Sequence, residues 1–169
     1  MVDQTSQDTG RLINFLKFCN LHFANSYNLG GSLCEYFHIT DFHLNNVNDY
    51  DIILDSNYLN FLKNRKEISE LSYQGDLRYC GEQKGSQEVY KSKLTLNKDI
   101  YNVDWIFGQT IELLHEVNKI KFHGINTRVA SRDLRIKLLK NTLINKQQKK
   151  SFLNKAKLRL NSYLNKTII

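Results

Sequence analysis

The spacing of apolar residues predicts a helix at the start of the chain. Between residues 9 and 24, apolar side chains recur at the intervals that place them on one face of a helix. Asp8 or Thr9 stands at the start of this segment, and either residue is a suitable N-cap. The pattern therefore favours an amphipathic helix that packs on a core. Its apolar face consists of Leu12, Phe15, Leu16, Cys19 and Phe23.

The next segment predicts a strand that turns directly into a helix. Tyr27 to Leu29 is a short apolar run, and Gly30 and Gly31 follow it without a spacer. Ser32 to Phe37 can open a helix, so the two glycines are expected at a strand-to-helix turn. Val47 to Leu54 then alternates apolar and polar residues, which is typical of a half-buried strand.

Strand-type patterns dominate the middle of the chain, and helices return towards its C-terminal end. This order predicts an α+β fold, in which a central mixed sheet has flanking helices and two basic C-terminal helices. Residues 110–118 are compatible with either a helix or a strand. The other predicted strands are Leu71 to Cys80, Glu88 to Leu96, Ile100 to Phe107, and the pair Ile120 to Phe122 and Ile125 to Ala130 around a turn at His123-Gly124. The other predicted helices begin near Ser56 and Ser131, and a last helix carries the apolar face of Phe152, Ala156, Leu160 and Tyr163.

The length of 169 residues indicates one domain and not two. We expect residues 1–140 to form this domain and residues 141–169 to add a basic helix packed on it. Charge is divided unevenly along the chain: residues 1–134 carry a net charge of −3, whereas residues 135–169 contain no acid and carry +10. Such a basic segment suits a polyanionic partner, with RNA as the leading candidate, or serves as a solvated helix face.

The N-terminal residues do not have the pattern of a secretory signal, because no basic residue precedes an apolar run. The longest stretch without charge, Phe18 to Cys34, contains several asparagines and is too polar for a membrane span. We therefore expect a cytoplasmic protein. The three cysteines, Cys19, Cys34 and Cys80, form no CxxC pair and are expected to be reduced thiols.

The glycine turn and three aspartates have the spacing that nucleotidyl transfer requires. Gly30 and Gly31 allow the backbone to approach phosphates, and the N–H groups at a helix start carry partial positive charge. Asp49 and Asp51, two positions apart on a strand, place both carboxylates on one face. Asp104 from another strand can then join them as a ligand of divalent metal ions.

These residues, in this order, resemble the nucleotidyltransferase fold of the DNA polymerase β superfamily. The segments that carry the resemblance read LGGSLCEYF, NDYDIILD and YNVDWIFG, and IKFHGINTRVASRDLRIKLLKN is similar to the tail of small bacterial members. The resemblance covers roughly residues 25 to 140. Asp49 lies 17 positions after Ser32, a spacing closer to the branch that transfers phosphorylcholine to glycans than to most compact members. The loop arginine and the Pro-Trp-Asp run of that branch are absent from this chain.

The resemblance implies a specific role for each residue of the motifs. It implies that Gly30, Gly31 and Ser32 bind the phosphates of a nucleoside triphosphate. It also implies that Asp49 and Asp51 bind two Mg²⁺ or Mn²⁺ ions, with Asp104 on the catalytic ion and near the attacking hydroxyl. The expected activity is the metal-dependent transfer of a nucleotide, or a related phosphoryl-linked group, to a hydroxyl acceptor.

Several other interpretations of these residues stay open at this stage. The protein can be an inactive module of the same fold that binds nucleic acid or protein, or a structural protein of a larger assembly. Glycosyltransferases also use Asp-x-Asp, although their domains are generally longer than this chain. Cys34, His38 and His43 are possible zinc ligands, but buried or surface roles are more common for such residues. Trp105 is expected in the core, on the strand face opposite Asp104.

Overall fold

A computed structural model of the chain describes residues 4–77, 87–107, 117–144 and 149–165. Its architecture is α+β, as the sequence predicts, and it contains a seven-stranded mixed sheet within these ranges. The helices are α1 (Gln4–Phe23), α2 (Gly31–His38), α3 (Leu59–Lys63), α4 (Arg132–Ile144) and α5 (Lys150–Leu164). The strands are β1 (Tyr27–Leu29), β2 (Tyr50–Leu54), β3 (Ile68–Leu77), β4 (Gln87–Leu96), β5 (Asp99–Phe107), β6 (Val117–Phe122) and β7 (Ile125–Ala130).

Strand β2 lies in the middle of the sheet, whose order is β3-β4-β5-β2-β1-β7-β6. It is antiparallel to β1 and parallel to β5. In the β2–β5 register, Asp51 is opposite Asp104, and Ile52 is opposite Trp105. Residues opposite each other on paired strands point to the same face, so the two aspartates lie side by side.

The opposite face of β2 and β5 packs against α1. The ring of Phe15 on α1 contacts the ring of Tyr50 at a centroid distance of 4.5 Å and that of Tyr101 at 5.6 Å. Ile52 and Trp105 follow on the same face and are fully buried. Because side chains alternate along a strand, this core fixes Asp51 and Asp104 on the face that points away from α1.

The first helix begins earlier than the sequence predicts. It starts at Gln4, so Asp8 and Thr9 lie within it and the prediction that one of them caps it is wrong. Thr9 instead donates a hydrogen bond from its hydroxyl to the carbonyl of Thr5, at 2.8 Å, as threonines within helices do. The predicted apolar face of α1 is buried, which confirms the helical spacing.

Strand β2 begins three residues later than predicted. Leu44–Asn46 forms a turn of 3-10 helix, and the strand starts at Tyr50. The intervening residues include Asn48, and asparagine favours turns because its side chain competes for backbone hydrogen bonds. Asp49 therefore lies immediately before β2 and not on it.

The two C-terminal helices pack on each other through a small apolar cluster. Ser131 caps α4, since its hydroxyl accepts a hydrogen bond from the Leu134 amide at 3.1 Å, as predicted. The cluster consists of Ile39, Leu139, Ala156, Leu160 and Tyr163. Phe152 does not belong to it, because this residue lies in the first turn of α5 and is 48% exposed, so its predicted place on the buried face is wrong.

The hairpin between β6 and β7 has the predicted turn at His123-Gly124. Both residues have positive φ, +45° and +82°, which is the geometry of a tight two-residue hairpin. The predicted strand end at Cys80 and most of the ambiguous segment Thr110 to Asn118 lie outside the described residues. Among the described helices, none is both long enough and apolar enough to cross a bilayer.

Candidate active site

The glycine turn joins the end of β1 to the start of α2. The Gly30 amide donates a hydrogen bond to the carbonyl of Asp51 at 3.0 Å, which ties the turn to β2. The Cys34 amide donates to the Gly30 carbonyl at 3.1 Å and closes the first helical turn. The amides of Gly31, Ser32 and Leu33 precede this bond and have no acceptor within the helix. These N–H groups make the start of α2 suitable for an anion.

The position of Gly31 requires glycine for two independent reasons. Its φ is +48°, in the left-handed region that side chains rarely adopt. In addition, a Cβ on Gly31 would overlap Oδ2 and Cγ of Asp51. The carboxylate of Asp51 therefore lies directly against the backbone of the turn. This contact brings the predicted phosphate-binding turn and the predicted metal-binding acid into one site.

Asp51 and Asp104 form the acidic centre of this site. Burial, followed by the neighbouring Asp104 carboxylate, raises the pKa of Asp51 to about 7. Burial also raises the pKa of Asp104, although the nearby ammonium of Lys91 opposes this shift. Two partly buried carboxylates on adjacent strands repel each other when both are ionised. The positive charge of Arg135 opposes the shift of the Asp51 pKa, but burial and the Asp104 carboxylate outweigh it.

Lys91 is a cation of this centre that sequence reasoning missed. It lies on β4 opposite Asp104 of β5, and its Nζ is 3.2 Å from Oδ2 of that aspartate. Burial lowers the pKa of Lys91, but Asp104, Asp49 and Asp51 raise it to a net value above the usual range. All three aspartates therefore act electrostatically on one ammonium. Only the β4–β5 register reveals this pair, because 13 positions separate the two residues in the chain.

Asp49 completes the set of three predicted acids without lying on the strand itself. Its charge contributes to the raised pKa of both Asp51 and Asp104. Over the described part of the chain, no three His, Cys, Asp or Glu side chains already converge as ligands around a common point. The structure thus brings Asp51 and Asp104 together, and the sharing of metal ions by all three aspartates stays a prediction.

A buried ionic network adjoins Ser32. Glu35 of α2 is fully buried, and its Oε1 accepts a hydrogen bond from Nε of Arg135 at 2.6 Å. Its other oxygen, Oε2, is 3.6 Å from Nη1 of Arg159 on α5. Nη2 of Arg159 donates to the hydroxyl of Ser32 at 2.9 Å. A solvated helix face, one of the two expectations for this basic segment, does not describe Arg159, because only 17% of its side chain is exposed.

Sequence reasoning missed Glu35, Arg135 and Arg159, although one signal for Glu35 was present. Glu35 is the first charged residue after Lys17, and it follows the glycine turn within an apolar segment. An acid in that position must be paired if it is buried. Its partners lie 100 and 124 positions later in the chain, so only the tertiary structure identifies them.

Two of the three residues considered for zinc, Cys34 and His38, have other partners in the described structure. The thiol of Cys34 and a ring nitrogen of His38 both contact the carbonyl oxygen of Ala130, at 3.4 Å and 2.8 Å. Burial raises the pKa of Cys34 to about 12, which disfavours the thiolate that zinc binds. Trp105 is a core residue, as predicted, and its Nε1 donates to the hydroxyl of Ser92 at 2.7 Å.

Replacement of Gly31 by alanine tests the contact between the turn and Asp51. We expect Gly31→Ala to lower the free energy of unfolding by about 1–2 kcal/mol for the positive φ and by roughly 1–3 kcal/mol more for the overlap with Asp51. Gly124→Ala is the matched control, because Gly124 also has positive φ but a Cβ there meets no atom within 4 Å. Urea denaturation of both variants measures the difference. An equal decrease of the free energy of unfolding in both variants would contradict the contact between Gly31 and Asp51. When Asp51→Ala is added, it should restore part of the lost stability in the Gly31 variant and none in the Gly124 variant.

The raised pKa of Asp51 predicts a specific pH dependence of stability. Its ordinary value is 3.8 and its value in the folded chain is about 7. The folded state therefore binds the proton more tightly, so the contribution of Asp51 is favourable below pH 4 and is lost as the pH rises to about 7. Relative to the wild type, Asp51→Asn should become more stable as the pH increases through this range in metal-free buffer.

Denaturation curves of both proteins from pH 4 to pH 8 test this dependence. The exposed Asp133, in the first turn of α4, provides the control substitution Asp133→Asn. If the stability difference between wild type and Asp51→Asn stays constant over this range, Asp51 is not the buried, repelled acid described above.

Comparisons of the chain with protein-family models, with curated proteins and with solved structures gave no match. The resemblance to the DNA polymerase β superfamily therefore depends on the residues of this chain, and the function follows as a proposal from its geometry.

Proposed function

We propose that the protein is a metal-dependent nucleotidyltransferase. The reaction transfers a nucleotide, or a related phosphoryl-linked group, from a nucleoside triphosphate to a hydroxyl acceptor. The contact between Asp51 and Gly31 is the observation that carries this proposal. It sets a partly buried carboxylate, opposite Asp104 in the strand register, directly against a helix start whose amides are suited to phosphate.

The donor set fits a hard divalent cation. Carboxylate oxygens are the preferred protein ligands of Mg²⁺ and Mn²⁺, and Asp49, Asp51 and Asp104 would supply them. A cation would also offset the burial and the repulsion from Asp104 that raise the pKa of Asp51 to about 7. When bound, such an ion withdraws charge from phosphate oxygens and activates a hydroxyl.

The residues of the chain itself would orient the reactants. The amides at the start of α2 and the Ser32 hydroxyl would hold phosphate oxygens, while Gly30 and Gly31 leave space for them. Asp104, near the acceptor hydroxyl, is suited to accept its proton as the oxygen attacks the α-phosphorus. The bond from the α-phosphorus to pyrophosphate then breaks, and pyrophosphate leaves with the electron pair. Lys91 balances part of the negative charge that gathers there.

One observation favours a second candidate, an inactive module that binds nucleic acid. Lys91 already neutralises Asp104 at 3.2 Å, as a lysine would in a site that no longer binds metal.

Lys155 and Lys157 on α5 are exposed and present positive charge to solvent. RNA is the polyanion that we propose as the partner of this helix, either as the acceptor of the enzyme or as the ligand of the module.

Ligand-induced stabilisation tests the enzymatic proposal. A nucleoside triphosphate with Mg²⁺ or Mn²⁺, at 100 times its Kd, should raise Tm by roughly 5–10 °C, because a ligand of the folded state stabilises it by mass action. Asp51→Asn should abolish this gain, whereas Asp133→Asn should retain it. Differential scanning fluorimetry with the four common triphosphates measures the shift. No shift with any of them would favour the inactive module.

Salt-dependent RNA binding tests the proposed partner of α5. The logarithm of the RNA association constant falls linearly with the logarithm of the salt concentration. If RNA phosphates contact Lys155 and Lys157, replacing both with glutamine should make this dependence less steep, by about 1.4 in the slope for single-stranded RNA. A control with the same loss of charge is Lys63→Gln with Lys66→Gln, which changes two exposed lysines outside α5. Fluorescence anisotropy between 50 and about 200 mM salt measures the slopes. Equal slopes in both double variants would exclude α5 as the specific contact.

A further inference from the structure

The last described helix contributes a side chain to the candidate active site. Arg159 of α5 donates a hydrogen bond to Ser32, although 127 positions separate the two residues. Ala156 and Leu160, which flank Arg159 on α5, are buried against the rest of the protein. The neighbouring residues Lys155 and Lys157 are exposed. Because of the way α5 packs, Arg159 lies at the glycine turn, whereas the neighbouring lysines of this helix lie at the surface.

Among the described residues, no carboxylate oxygen lies within hydrogen-bond distance of the Arg159 guanidinium. Glu35 is the carboxylate within salt-bridge distance of Arg159, and it also pairs with Arg135. The Arg135 bond, at 2.6 Å, engages one oxygen of Glu35, while the other oxygen makes no hydrogen bond with any described group. Arg159, at 3.6 Å from that oxygen, is too far for a hydrogen bond and binds the neutral Ser32 hydroxyl instead. Two guanidinium groups thus share one carboxylate.

A partly buried guanidinium with incomplete compensation is suited to bind an added anion. Arginine has five N–H donors in a planar fork that matches phosphate oxygens, and Ser32 uses one of the donors of Arg159. The amides at the start of α2, which have no acceptor within the helix, lie beside the same hydroxyl. An anion at the turn would therefore meet both backbone and guanidinium donors.

We propose that Arg159 is a polyphosphate-binding residue of the active site, so that nucleotide binding depends on the docking of α5. This inference rests on the proposed function and names the part of the substrate that α5 recognises. The guanidinium contacts non-bridging phosphate oxygens, and Glu35 and Arg135 hold it in position. Arg159 does not act on the nucleoside.

The binding of inorganic tripolyphosphate tests this role without a base, a sugar or a metal. Isothermal titration calorimetry in EDTA measures the Kd for wild type, Arg159→Gln, Arg159→Lys and the control Lys63→Gln, which changes an exposed lysine outside α5. Loss of a charge-assisted contact should weaken binding about 10- to 100-fold in Arg159→Gln. Arg159→Lys, which keeps the positive charge but loses the planar guanidinium, should give an intermediate Kd, and Lys63→Gln should bind as the wild type does.

The other outcomes separate this inference from the proposed function. Equal Kd values for wild type and Arg159→Gln would overturn the role of Arg159, and the Mg²⁺-dependent stabilisation by triphosphates would still stand. Absence of tripolyphosphate binding by the wild type would also overturn it. A large loss of Tm in both Arg159→Gln and Arg159→Lys, with unchanged tripolyphosphate binding, would show that the arginine only ties α5 to the domain.

Discussion

The close approach of Asp51 to Gly31 is the constraint on which the rest of the site depends. Without a side chain at Gly31, the carboxylate lies against the turn, and the Gly30 amide can bond the Asp51 carbonyl. The turn, strand β2 and the start of α2 are thereby held as one unit. Every other site residue is positioned relative to this unit, whether by strand pairing, as Asp104 is, or by helix packing, as Arg159 is.

The second organising feature is the unequal distribution of charge within a small volume. On one side of the turn, burial and the neighbouring Asp104 carboxylate raise the pKa of Asp51. On the other side, two arginines share the carboxylate of Glu35. A phosphate with its divalent cation complements both sides at once, since the cation suits the acids and the phosphate suits the arginines. The stability of the folded chain is expected to be lower without such a ligand.

The sequence predicted those features that depend on local patterns. The α+β fold, the glycine turn and the helix that begins near Ser131 all follow from patterns within a few residues, and the structure agrees with them. The alternation that predicted a half-buried strand is also present in β2, where Tyr50 and Ile52 are buried. The predicted start of β2 was less accurate, because the segment before it contains Asn48 and asparagine favours turns. The pairing of Lys91 with Asp104 depends on register, and that of Arg159 with Ser32 on helix docking. Neither register nor docking is encoded in a local pattern, so these partners became apparent only in the folded chain.

The parallel pairing of β2 with β5 also has a consequence for the order of folding. Strands β3 and β4 lie between them in the chain, and β4 pairs with β5 on its other side. The whole connection between β2 and β5 must be ordered before these two strands can pair, and this costs conformational entropy before the pair contributes any stability. The antiparallel strands β3, β4 and β5, whose connections are more local, are therefore expected to assemble first and to dock on β2 as a preformed unit. Asp51 and Asp104 would then meet only in the final step, and the folding chain avoids their mutual repulsion until the surrounding core has formed.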